Sequence, residues 1–229
     1  MQVLSKVECD QKNVGLKLID IIMYFWDAEN TKTRQNQLIR SLPLAQSKAA
    51  AEKKKLDKAD VIARTVMSQQ SFYKSIDCNE NHRQLLETMV GAAIWYLPQA
   101  KELWTGEISV EALKKLSETK KISSLTKDHK YPRKVAASEL FKVDWSKIPI
   151  PHEEVLNRYQ SKYGLYNYVL PEENKRLVQY QKGHVFVSPE DSYIQAGIPL
   201  RKLSHEQLKM IRKGDRQLAE LVISNQINS

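Results

Sequence analysis

The chain has 229 residues, a formal net charge of +9 and a pI near 9.4, with 41% hydrophobic and 28% charged residues. This is the balance of a globular protein able to bury a core, not of a disordered one. The positive excess favours a polyanionic partner, nucleic acid first, although a basic surface also serves solubility alone. Cys9 and Cys78 are far apart in sequence, which excludes a cysteine-based zinc knuckle or a disulfide framework and fits a reducing cytoplasm.

Met1–Asp10 carries Lys6, Glu8 and Asp10 without an apolar stretch, so no secretory signal is expected. Residues 14–28 have the apolar spacing of an amphipathic helix, with Leu18, Ile21, Ile22 and Phe25 on one face and Asn13 as its cap. Residues 30–60 are polar; the run Ala49–Lys55 predicts an exposed helix. Val61–Phe72 and Asn81–Leu97 predict two more. The second places Leu85, Leu86, Met89, Val90, Ala93 and Ile94 in the core and stops at Pro98. Its apolar run Met89–Leu97 includes Gly91 and is too short to cross a bilayer, so no membrane partner is expected. Ser109 caps a helix reaching Lys120, with Val110, Leu113 and Leu116 inward. The first 120 residues therefore read as all-helical. With seven glycines in all, neither a Walker loop nor a dinucleotide fingerprint is present.

From Lys120 to Lys147 the composition shifts to eight Lys or Arg against three acids. Ile122–Thr126 predicts a short strand and Val135–Phe141 a short helix. Ile148-Pro149-Ile150-Pro151 reads as a stiff linker, followed by a helix over Glu153–Tyr163. Leu165–Leu170 is the strongest strand signal, and Pro171 with Glu172 and Glu173 opens a helix through Gln181. His184–Val187 predicts a short strand and Ser188–Pro199 a loop. Ser204 with Gln207 forms a capping box for one terminal helix to about Ser224. This organisation divides into a helical region, 1–120, a module, 121–187, and a loop with a final helix, 188–229.

The stretch Leu125–Pro132 sets Asp128 beside His129, flanked by Lys120, Lys121, Arg133 and Lys134. A carboxylate offers hard oxygen to Mg²⁺, an imidazole accepts a proton from water near neutral pH, and the surrounding cations attract phosphate. The plain alternative is an Asp-His pair in a basic surface loop. Asn174, likewise, reads on its own as an exposed first-turn residue.

The order Asp128-His129, then strand Tyr166–Leu170, then a helix opening Pro171-Glu172-Glu173-Asn174-Lys175 resembles the HNH, or ββα-metal, endonucleases. The Asp-His-x-x-Pro form is similar to the HNH domains of CRISPR effector and phage homing nucleases. The likeness covers residues 120–183. It implies a mainly α protein carrying a small ββα-metal α+β module. In that module His129 is the general base, Asp128 and Asn174 hold one Mg²⁺ or Mn²⁺ rather than zinc, and Asn167 orients the histidine. Glu173 replaces Asn174 if the helix register slips, and the long span from His129 to Asn174 requires an inserted helix. The implied activity is hydrolysis of phosphodiester bonds in DNA, with RNA the other substrate, in a restriction, phage-defence or homing setting. A homodimer would cut both strands. Lys130, Arg133, Lys134 and Lys175 would act near the scissile phosphate, and Arg212, Lys213 and Arg216 on phosphates further away. The rival readings are a non-catalytic basic helical nucleic-acid-binding protein and a helical protein-interaction module.

Overall fold

A computed structural model describes residues 48–224. The expected helix at 14–28 lies outside these residues. The chain divides between Lys53 and Lys54; of the first unit, residues 48–53 are described and are exposed helix. No helix among the described residues is long and apolar enough to cross a membrane.

The second unit is mainly helical with one four-stranded mixed sheet. Within it, helix α1 covers residues 54–74 and α2 covers Glu80–Trp95, capped by Asn79 Oδ1, which accepts from the His82 backbone N–H at 3.0 Å. Only part of the expected face of α2 is inward. Val90 and Ile94 are buried, whereas Leu85 and Met89 are 59% and 55% exposed, because α4 covers a single stripe of the helix. At Gly91 the contact is so close that a Cβ would lie 2.8 Å from the Arg133 carbonyl oxygen. A side chain there would force the two helices apart.

Strand β1, Trp104–Ser109, overturns the all-helical reading of the first 120 residues. Its burial alternates from Trp104 to Ile108, but its pairing is bulged: Trp104 lies opposite Tyr166, and Ile108 opposite Tyr168, so β1 uses two more residues than its partner. Gly106 sits in the bulge at φ +88°, a conformation that disfavours any side chain. Helix α3, Val110–Thr119, follows with the predicted cap: Ser109 Oγ accepts from Ala112 N–H at 3.1 Å.

The strand expected over Ile122–Thr126 is displaced. Ile122–Ser124 is a 3₁₀ turn, and β2 is Thr126–His129. Helix α4, Arg133–Lys142, and α5, Pro151–Arg158, fill the long span before β3, Tyr166–Val169. Between α5 and β3, Tyr159–Tyr163 form a π-helical turn, a distortion that recurs at functional sites. Helix α6, Pro171–Leu177, ends four residues earlier than expected. His184–Val187 is turn and coil, not strand.

The expected loop at 188–199 contains helix α7, Pro189–Gln195, capped by Ser188. Strand β4 is Leu200–Lys202. The capping box at Ser204 and Gln207 is present, but Gly214 at φ +110° splits the terminal helix into α8, His205–Lys213, and α9, Arg216–Ile223.

The sheet order is β2-β3-β1-β4, with β1 and β3 parallel and both outer pairs antiparallel. One face packs on the main core through Ile108, Tyr166, Leu113 and Phe141; the other meets a smaller cluster of Val169, Leu177, Tyr193 and Ile198. The sheet draws strands from all three segments of the sequence reading, so the Asp128-His129 strand depends on β1 and β4 for its support.

Candidate active site

Strands β2 and β3 pair with Asp128 directly opposite Asn167 and His129 opposite Tyr166. Side chains alternate along a strand, so Asp128 and Asn167 share the face of the small cluster, and His129 and Tyr166 share the main-core face. Both acid and histidine reach an open cleft of about 1400 Å³ that runs along β2, the edge strand of the sheet. Asn174, Arg133, Lys134 and His184 line the same cleft.

His129 is 8% exposed. Its ring lies 4.3 Å from Trp95 and 6.3 Å from Tyr166 between centroids. The Tyr163 backbone, on the π turn, lies by the ring and favours its protonated form. Nε2 accepts from the Gln99 amide at 3.1 Å. Burial, then the charges of Lys127 and Arg133, lowers the His129 pKa to about 4. The imidazole is therefore neutral at physiological pH, with Nε2 as the acceptor and the exposed Gln99 side chain resting on it.

Asp128 is 4% exposed. Its Oδ2 accepts a short hydrogen bond from the Tyr193 hydroxyl, and Gln181 Nε2 donates to Oδ1 and Oδ2 at 3.3 and 3.2 Å. Burial raises its pKa to about 6; the Tyr193 and Gln181 hydrogen bonds oppose that shift and do not overcome it. Tyr193, in turn, is shifted strongly upward by burial and by the carboxylate beside it, so it remains a hydroxyl donor.

Asn167 is fully buried and lies on the Asp128 face, away from the His129 ring. Its Oδ1 accepts from Thr105 Oγ1, which the β1 bulge turns toward it. Its Nδ2 faces the Tyr193 hydroxyl but makes no hydrogen bond of good geometry. It therefore does not orient the histidine, as the resemblance implied. The ring is held instead by the Gln99 amide and by packing on Trp95. Glu173 is also committed elsewhere: buried, it accepts from Ser109 Oγ and from Leu170 N–H at 2.8 Å, tying α6 to the sheet. Unlike Asn174, it does not line the cleft.

The basic residues divide. Lys130 is absent from the cleft lining and ion-pairs Glu190 at 3.0 Å and Glu107 at 3.5 Å. Those two acids outweigh its burial and raise its pKa. Arg133 lies 4.3 Å above the Trp95 ring and, like Lys134, is exposed at the cleft. Lys175 is exposed on α6 without lining the cleft. Arg212, Lys213 and Arg216 are exposed around the α8–α9 junction, outside the cleft.

Sequence reasoning missed Gln99, Trp95, Gln181 and Tyr193. For Tyr193 a signal existed: Ser188-Pro189-Glu190-Asp191 has a capping serine, a first-turn proline and two acids, the marks of a helix start.

Among the described residues no three His, Cys, Asp or Glu side chains group to hold a metal. Asp128 and Asn174 both line the cleft, and a carboxylate and an amide oxygen are the donor types that suit a hard cation such as Mg²⁺, which takes one or two protein oxygens and keeps several waters. Neither a protein-family model, nor a curated protein, nor a solved structure matches the chain.

Proposed function

We propose that the chain is an HNH-type endonuclease that hydrolyses phosphodiester bonds in DNA, with His129 as general base and Asp128 and Asn174 as the metal-holding pair. One observation carries the reading. An antiparallel strand pair followed directly by a helix brings Asp128, His129 and Asn174 to a single cleft that Arg133 and Lys134 also line.

The residues suit that chemistry. A phosphate entering the cleft meets Arg133 and Lys134, which attract it and neutralise its oxygens. Gln99, being exposed, can swing away so that a water takes its place against His129 Nε2. That nitrogen then accepts the water proton as the oxygen attacks phosphorus, the P–O bond to the leaving oxygen breaks, and that oxygen takes a proton from solvent, while the Tyr163 backbone favours the imidazolium that forms. Bound at Asp128 and Asn174, Mg²⁺ or Mn²⁺ supplies charge neutralisation at the phosphate and the leaving oxygen. The tail cations Arg212, Lys213 and Arg216 add affinity without touching the chemistry.

Supercoiled plasmid incubated with the full chain and Mg²⁺ tests this. Nicking or linearisation that EDTA abolishes is expected. Salt-dependent retardation of the DNA without any cut would instead make the protein a non-catalytic binder. Absence of both would leave an interaction module whose charge serves solubility.

A further inference from the structure

Asp128 has two oxygens in different situations. Oδ2 is held by the Tyr193 hydroxyl in a site where both residues are at least 95% buried. The Gln181 amide, which lines the cleft, donates to both oxygens, at 3.3 Å to Oδ1 and 3.2 Å to Oδ2, and among the described residues Oδ1 has no further hydrogen-bond donor. Behind Tyr193 runs a second layer. Thr105 Oγ1 donates to Asn167 Oδ1, and the fully buried Asn167 amide nitrogen faces the Tyr193 hydroxyl with no other partner. Helix α7, which carries Tyr193, is pinned from the opposite direction by Lys130, whose ammonium binds Glu190 one helical turn before Tyr193 and Glu107 on β1.

The amide beside Tyr193 favours a lone pair of the phenol oxygen on its side, which agrees with the Tyr193 proton being donated to Asp128.

We propose that Tyr193 is a positioning residue for a divalent-cation site at Asp128. It fixes Oδ2 and thereby presents Oδ1 to the cleft, where the Gln181 amide occupies the place of the cation. Lys130 is thus part of the support for this site and not a phosphate contact. The inference rests on the metal-holding role given to Asp128 above.

Two variants of the full chain carry opposite signs. Tyr193→Phe keeps the ring and removes only the positioning hydroxyl; Mn²⁺ binding, followed by electron paramagnetic resonance without nucleic acid, is expected to weaken 10- to 100-fold, as for other groups that orient a metal ligand. Gln181→Ala removes a competing donor, and Mn²⁺ binding is expected to tighten several-fold. A residue with a merely structural role would not produce this reversal. Near-UV circular dichroism checks that both variants are folded; if Tyr193→Phe is not, the sign for Gln181→Ala still decides. Equal Mn²⁺ affinity in wild type and Tyr193→Phe, or weaker binding by Gln181→Ala, overturns the proposal while leaving the metal site intact. Wild-type binding no tighter than that of Asp128→Asn overturns the metal reading and this inference with it.

Discussion

Asp128 and His129 are consecutive, both are buried, and both are shifted by burial, yet the two faces of β2 on which they sit are built differently. The Asp128 face is polar and layered: Gln181, Tyr193, Asn167 and Thr105 follow one another inward. The His129 face is aromatic, with Trp95 and Tyr166 against the ring and the Gln99 amide on Nε2. Desolvation disfavours whichever form is charged, so the same burial raises the acid and lowers the base. The pair therefore approaches neutrality near pH 5 without forming an ion pair. Adjacent residues on a strand can be tuned independently because the sheet separates their surroundings.

The largest expected effect lies on the aromatic face. His129→Ala should lower cleavage 10²- to 10⁴-fold while DNA retardation stays near that of wild type. Turnover like wild type would remove His129 from the chemistry and leave its face purely structural.

Next comes the pH dependence of stability, measured by urea unfolding in EDTA so that no metal intervenes. Asp128 has a folded pKa of about 6 against 3.8. The unfolded chain releases that proton first, so stability falls as pH rises from about 4 to about 6. His129 has a folded pKa of about 4 against 6.5. The unfolded chain takes up that proton first, so stability falls as pH drops from about 6.5 to about 4. Each contribution is on the order of 3 kcal/mol, and within this window they oppose. Wild type should be nearly flat there, Asp128→Asn should gain stability with rising pH, and His129→Gln should lose it. Parallel slopes in the two variants would break the comparison between the faces.

Asn174→Ala should raise the Mg²⁺ concentration needed for cleavage by roughly 10- to 100-fold, with activity returning at high metal, the mark of a lost ligand and not of a lost base. A rate deficit unmoved by Mg²⁺ titration would place Asn174 outside the metal-holding pair.

The smallest effects separate the cleft cations from the tail. Replacing Arg212, Lys213 and Arg216 with Ala should flatten the salt dependence of DNA binding by about one unit per lost phosphate contact and leave single-turnover rates unchanged. Replacing Arg133 and Lys134 should reduce the rate as well. Equal rate losses in the two variants would mean that the tail reaches the scissile phosphate.

Local chemistry made several elements legible in the sequence. Ser109 and Ser204 announce helix starts because a capping oxygen acts within three residues. Pro171 opens α6, the Leu165–Leu170 run marks β3, and Asp128-His129 with the following strand and helix outlines the candidate site. What the tertiary structure alone decided involves partners distant in sequence. Strand β1 was hidden because it is short, with Thr105, Gly106 and Glu107 between its two large apolar residues, and its place is set by β3 and β4 on either side. Leu85 and Met89 face outward because α4 covers only one stripe of α2. The opposite shifts of Asp128 and His129 arise from burial beneath Tyr193, 65 residues along the chain, and beside Trp95. Desolvation is a property of the assembled surroundings, and no local pattern encodes it.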